Sequence, residues 1–196
     1  MTPFTTLTAI AAPLIRDNID TDAIIPSREM KSVGKTGLAE GLFAGWRYTA
    51  IGSREPDPSF VLNDPRYAGA QILLAGANFG CGSSREHAAW ALAEYGFRAI
   101  VAASFNPIFR GNCVRNGIVP VAIDATLIDT GGPITIDLPR QTLTSASGQD
   151  IGFAIDAEAK AMLIGGLDAI DMTLARAAEI ARFRDADRNR RPWAYL

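Results

Sequence analysis

The stretch AQILLAGANFGCGSSREHAAWALAEYGFRAIVAAS (Ala70–Ser104) reads as strand, loop, helix and strand, and that order decides the fold. AQILLAGAN is a short apolar run of the kind that forms a strand buried on both faces. Ser84–Gly96 has helix periodicity, with Ala88, Ala91, Leu92 and Tyr95 at helical spacing and Gly96 as the stop. RAIVAAS (Arg98–Ser104) is a second buried strand. Next, PIFRGNCVRNG (Pro107–Gly117) reads as a short helix closed by Gly117, and IVPVAI (Ile118–Ile123) as a third strand. This alternation predicts parallel pairing through right-handed crossovers.

The flanks differ in style. On the N-terminal side, Asn18, Asp20 and Asp22 are turn and cap residues, and Pro26 disfavours helix at Ile25. A short helix is expected over Leu38–Trp46, followed by a Gly- and Pro-containing surface loop, Arg47–Pro58. After Gly131, PITIDL, QTLTSAS and DIGFAI alternate with turn residues between them, as in a β-meander or hairpin pair. From Asp156 the chain reads as helix, with Leu167, Ile170, Leu174, Ala177, Ala178 and Ala181 on one face. The expectation is an α/β fold with a parallel-strand core, β-rich flanks and C-terminal helices. It forms a single domain over residues 1–196, with a helical extension from about residue 156.

Composition narrows the function. The chain has 196 residues, of which 48% are hydrophobic and 20% charged, an ordinary globular balance. A net charge of −2 gives no reason to expect a nucleic-acid partner. The two cysteines, Cys81 and Cys113, cannot by themselves make a disulfide framework or a four-thiolate metal site, and the single histidine argues against a histidine metal site. One disulfide stays open. The N-terminal stretch has no basic leader and meets Arg16 and Asp17 too early for a span. A soluble, reducing, cytoplasmic setting without membrane contact is therefore expected.

The chemistry concentrates in NFGCGSSREH (Asn78–His87). Ser83 followed by Glu86 matches a capping box, which would account for the helix start. It leaves Gly80, Gly82, the second serine and Arg85 without a purpose, and a cation near a helix N-terminus opposes the macrodipole. An anion bound there would reconcile them, gathered by amides, hydroxyls and a guanidinium. Dinucleotide and P-loop patterns fail: Arg85 stands at the third glycine position, RAIVAAS ends in Ser104, and no Gly-Lys-Ser/Thr follows. Hydrolase chemistry lacks a nucleophile elbow and a separate histidine base. A carboxylate-binding half-site remains, with the other half on another chain.

GSSREH (Gly82–His87) resembles the signature of the swivelling domain of the aconitase family. NIDTDAIIP (Asn18–Pro26), GLFAGWRY (Gly41–Tyr48), ANFGCGSSREHAAWAL (Ala77–Leu92), SFNPIFRGNCVRNGIVPV (Ser104–Val121) and LIGGLDAIDMTL (Leu163–Leu174) extend the likeness to small subunits of 3-isopropylmalate dehydratase over almost the full chain. The resemblance implies a swivelling β/β/α domain that works in a heterodimer or heterotetramer with a large subunit. That subunit carries a 4Fe–4S cluster, and this chain carries no cofactor. It implies a hydro-lyase of leucine biosynthesis that isomerises 2-isopropylmalate to 3-isopropylmalate through isopropylmaleate. It implies further that Ser83 is the catalytic base and that Ser84, Arg85, Lys35 and Asp22 bind substrate.

Two positions depart from that pattern. Lys35 stands where the family has arginine, keeping the charge and losing the fork. Leu38 replaces an aromatic residue. Both lie where substrate choice is shaped, so another 2-alkylmalate (citramalate, dimethylmalate or homocitrate) is the alternative substrate. The tail RPWAYL and the late apolar residues could pack internally, pair two copies of the isolated chain, or meet the large subunit.

Overall fold

The computed structural model describes residues 1–30, 34–83 and 85–195. In chain order the strands and α-helices are β1 (Thr6–Ala9), β2 (Ala11–Leu14), α1 (Thr21–Ile24), α2 (Ala44–Arg47), β3 (Ile72–Ala75), α3 (Glu86–Tyr95), β4 (Ala99–Ala102), α4 (Pro107–Arg115), β5 (Val119–Ala122), β6 (Ile134–Asp137), β7 (Thr142–Thr144), β8 (Asp150–Gly152), α5 (Ala157–Gly165), α6 (Ala169–Leu174) and α7 (Ala177–Arg190). Two sheets organise them. One is wholly parallel, in the order β2-β3-β4-β5, and the other antiparallel, in the order β1-β6-β7-β8.

The parallel sheet is the expected core with one strand added. Ala11 pairs with Ile72, Ile72 with Ala99, and Ala99 with Val119. Side chains alternate across it, so Leu73, Ala75, Ile100 and Ala102 enter one core and Ile72, Leu74, Val101 and Val121 the other. The first core is closed by α3 and the aromatic residues near α1 and α2, and the second by the antiparallel sheet and α5. Burial on both faces explains why β3 and β4 read as unbroken apolar runs. Both prolines of the sheet, Pro13 and Pro120, sit on edge strands, where a missing N–H is tolerated.

The β-meander of the sequence reading is present as β6, β7 and β8, and β1 joins it at the edge through β6. The helix expected over Leu38–Trp46 is not one helix. A 3₁₀ turn at Ala39–Gly41 is followed by the short α2, and between them Phe43 takes a left-handed φ of 50°. The amide of Phe43 is tied to the carbonyl of Ile24 at 2.7 Å, and its fully buried ring stacks on Trp46. Tertiary anchoring of one aromatic residue thus overrides the local helix pattern.

The C-terminal face also differs. Leu167–Ala181 does not form one helix against the core but is divided among α6, α7 and the turns around them, after Gly166 ends α5 with a φ of 64°. Neither α6 nor α7 has a buried residue, and Ile170, Leu174, Ile180, Phe183 and Trp193 are exposed. No helix among the described residues is long and apolar enough to cross a membrane.

Candidate active site

The loop after β3 lies at the C-terminal edge of the parallel sheet, the usual place for a ligand site in such a sheet. The ends of neighbouring strands hold it. From the segment after β2, Asp17 Oδ1 accepts the Ala77 amide at 2.7 Å, Asn18 Oδ1 accepts Asn78 Nδ2 at 2.8 Å, and the Ile19 carbonyl accepts the Gly80 amide at 2.7 Å. From the segment after β4, Ser104 accepts the Asn78 amide with its hydroxyl and the Phe79 amide with its carbonyl. Asp20 and Cys81 then pair as a parallel bridge, with the Thr21 amide donating to the Cys81 carbonyl at 2.9 Å.

Both glycines of the motif are required by this path. Gly80 has a φ of 74°, and a Cβ there would enter the buried Phe109 ring; Gly82 has a φ of 90° with Asp20 Cβ 3.3 Å from where its own Cβ would stand. The chain therefore turns sharply and presents Ser83 in the open. Ser83 is exposed, and its hydroxyl has no hydrogen-bond partner among the described residues. Ser84 lies outside the described residues.

The capping box is not formed. Helix α3 starts at Glu86 with Arg85 as the cap residue, whose side chain makes no capping hydrogen bond. Ser83 is two residues upstream of the cap position and cannot serve, and the Glu86 carboxylate instead accepts from Asn116 Nδ2 at 2.9 Å. Arg85, extended at φ −83° and ψ 127°, lies just outside the helix and not in its first turn. Its anion is Asp22: Nη1 is 2.9 Å from Oδ1, and Nη2 donates to Oδ2 at 3.2 Å. Asp22 is available because Asp20 caps α1, accepting the Ala23 amide at 2.6 Å.

Lys35 sits apart from this pair. Its ammonium lies 5.3 Å from the Trp90 ring centroid and 3.5 Å from Asn116 Oδ1, so Asn116 links it to Glu86. The structure thus joins Asp22 with Arg85 and sets Lys35 beside the next residue of the motif. Leu38 is part of the apolar core at 1% exposure, so its side chain packs inside and does not line the site. His87 packs against Trp90 in a tilted arrangement, with ring centroids 4.7 Å apart. Cys81 and Cys113 are free, and burial pushes the Cys113 thiol well above the ordinary range, which keeps it protonated and inert. No group of three or more His, Cys, Asp or Glu among the described residues is placed to hold a metal ion.

Sequence reading missed two supports. In the Asp17–Ile19 segment, which carries the loop, the sequence marks only Asn18, and as a turn residue. Glu94, on the last turn of α3, is not singled out by the sequence, yet it accepts three consecutive backbone amides (below). Only the three-dimensional approach of the Gly37–Ala39 segment reveals it.

The aconitase C-terminal domain family matches residues 1–126, the part of the chain that holds the parallel sheet and the loop at its edge. A second family, LeuD_N, matches residues 127–157. The 3-isopropylmalate dehydratase small subunit of Cupriavidus necator is 55% identical, over 100% of this chain and 99% of its own. That of Magnetococcus marinus is 48% identical, over 100% of both. The crystal structure of a 3-isopropylmalate dehydratase from Methanocaldococcus jannaschii superposes with a TM-score of 0.68 at 25% identity, covering 90% of this chain and 99% of that one. The chain belongs to the family of 3-isopropylmalate dehydratase small subunits.

Proposed function

We propose that this chain is the small subunit of a hydro-lyase that converts 2-isopropylmalate to 3-isopropylmalate through isopropylmaleate, working with a large subunit. The observation that carries the reading is the full-length kinship with 3-isopropylmalate dehydratase small subunits. The geometry supports it, because Arg85 already pairs with a carboxylate, donating from Nη2, beside an exposed serine. The large subunit holds a 4Fe–4S cluster, which supplies Lewis-acid help to the departing substrate hydroxyl.

This chain's share is carboxylate binding and proton transfer. Arg85 exchanges Asp22 for a substrate carboxylate, or shares its fork between them, and so fixes the carbon whose proton is removed. Ser84 and Lys35 add contacts to the substrate's carboxylates. Ser83, as alkoxide, takes the proton from the carbon next to a carboxylate as the hydroxyl leaves, giving isopropylmaleate. Return of water in the opposite sense completes the isomerisation. A serine is a weak base in water. The Arg85 charge and the α3 amides, sealed from water by the large subunit, are the groups that stabilise its oxyanion.

The test is reconstitution with the iron–sulfur large subunit and assay against 2-isopropylmalate and smaller 2-alkylmalates. Turnover of 2-isopropylmalate with the highest kcat/KM is the expected result. Turnover of another 2-alkylmalate alone would refute the substrate assignment.

A further inference from the structure

Helix α3 carries the motif at its start and grips a second segment near its end. Glu94 Oε1 accepts the Gly37 amide at 2.6 Å, and Oε2 accepts the Leu38 amide at 2.5 Å and the Ala39 amide at 2.9 Å. Three successive amides turned onto one carboxylate form a backbone nest, and the left-handed φ of 82° at Gly37 is what turns them together. Nothing lies within 4 Å of the place a Gly37 Cβ would take, so glycine is present for its backbone and not for space. The Leu38 side chain, buried in the core, pins the same segment from the other side.

Lys35 is two residues before this nest. Its ammonium rests over Trp90, and Trp90 precedes Glu94 by four residues, on the same face of α3. His87 packs against Trp90 one turn earlier, its ring tilted to the indole. A single rigid helix therefore sets both where Arg85 stands and where the Lys35 segment is held.

We propose that Glu94 is the positioning residue for Lys35: by clamping the Gly37–Ala39 amides it fixes the placement of the Lys35 ammonium, and with it the recognition of substrate by this subunit. The proposal rests on Lys35 being a substrate contact. Glu94 touches no substrate and acts only through the segment it holds.

The experiment uses Glu94→Ala and Glu94→Gln in the full chain, each reconstituted with the large subunit and assayed with 2-isopropylmalate. Amide exchange at Gly37, Leu38 and Ala39 is measured alongside on the small subunit. Glu94→Ala should speed exchange at all three amides and raise KM about tenfold, with kcat within about twofold of wild type. Glu94→Gln, which keeps one acceptor oxygen and the shape, should fall between the two and so guards against a folding defect. Unchanged exchange would show that Glu94 does not hold the segment, and would overturn the proposal. Faster exchange with unchanged KM would overturn it too, because the segment would then not matter to substrate. A fall in kcat at constant KM would assign Glu94 to the chemistry or the fold instead. Failure of the broader functional reading is separate, since it appears in the wild-type pair as no turnover of 2-isopropylmalate.

Discussion

The Arg85 guanidinium and the Asp22 carboxylate form an ion pair, with Nη1 2.9 Å from Oδ1 and Nη2 donating a hydrogen bond to Oδ2 at 3.2 Å. Asp22 is more than half exposed, so the pair contributes little to stability and its importance is geometric. On the proposed function, it holds a planar donor set where a substrate carboxylate would bind. Arg85→Lys keeps the charge and loses the fork, and should lower kcat/KM of the reconstituted enzyme about 100-fold. Asp22→Asn should cost about tenfold by leaving the fork unaimed, and the double variant should lose little more than Arg85→Lys alone. A double-mutant cycle measures this. Additive losses would show that Asp22 and Arg85 act independently.

Ser83 is exposed, its side chain without a hydrogen bond among the described residues and without a capping role. Removing its hydroxyl therefore takes nothing from the fold. Ser83→Ala should unfold within about 0.5 kcal/mol of wild type, keep its affinity for the large subunit, and lose turnover by at least about 1000-fold. Calorimetry, co-purification and the isomerase assay separate these effects. Retained activity would remove Ser83 from the proton transfer.

How much of this was legible depends on whether a local pattern or a distant contact decides each element. Strands β3 and β4 and the stop at Gly96 follow from apolar runs and a glycine, and they stand where the sequence places them. The strands β1 and β2 are short and lie in a stretch with proline and few strand signals, so only their partners Ile134–Asp137 and Ile72–Ala75 define them. Ser83 and Glu86 have the spacing of a capping box, but the path imposed by Gly80 and Gly82 delays the helix to Glu86. The residues of the motif could be read directly. That Arg85 finds Asp22, 63 positions away, and Glu94 finds Gly37, 57 away, could not, because neither pairing leaves a periodic trace.

The family resemblance implies an aromatic residue where Leu38 stands, and so raised the question of substrate choice. Its burial gives the answer. At 1% exposure it packs in the core, so Leu38→Ala should cost about 2–5 kcal/mol of stability through the cavity it leaves. The midpoint of thermal unfolding should fall by at least about 4 °C. The ratio of kcat/KM for 2-isopropylmalate over a smaller 2-alkylmalate should stay unchanged at a temperature where the variant is folded. A changed ratio with unchanged stability would place this side chain in the site.

Glu94 also makes the clamp on Gly37–Ala39 sensitive to acid. Partial burial opposes its charge, but the amides of Gly37, Leu38 and Ala39 outweigh that and hold its carboxyl below the ordinary value of 4.5. A carboxyl depressed in the folded state binds its proton more readily in the unfolded chain. Its stabilising contribution is thus fully present above the unfolded value and is lost as pH falls through the folded one. Urea unfolding from about pH 6 to about pH 3 should show wild type losing its advantage over Glu94→Gln only below about 4.5, with a constant difference above it. A difference that stayed constant to the lowest pH would mean that the three amides do not favour the charged carboxylate. Faster exchange at Gly37, Leu38 and Ala39 should accompany the loss, since protonation weakens the acceptor that holds all three.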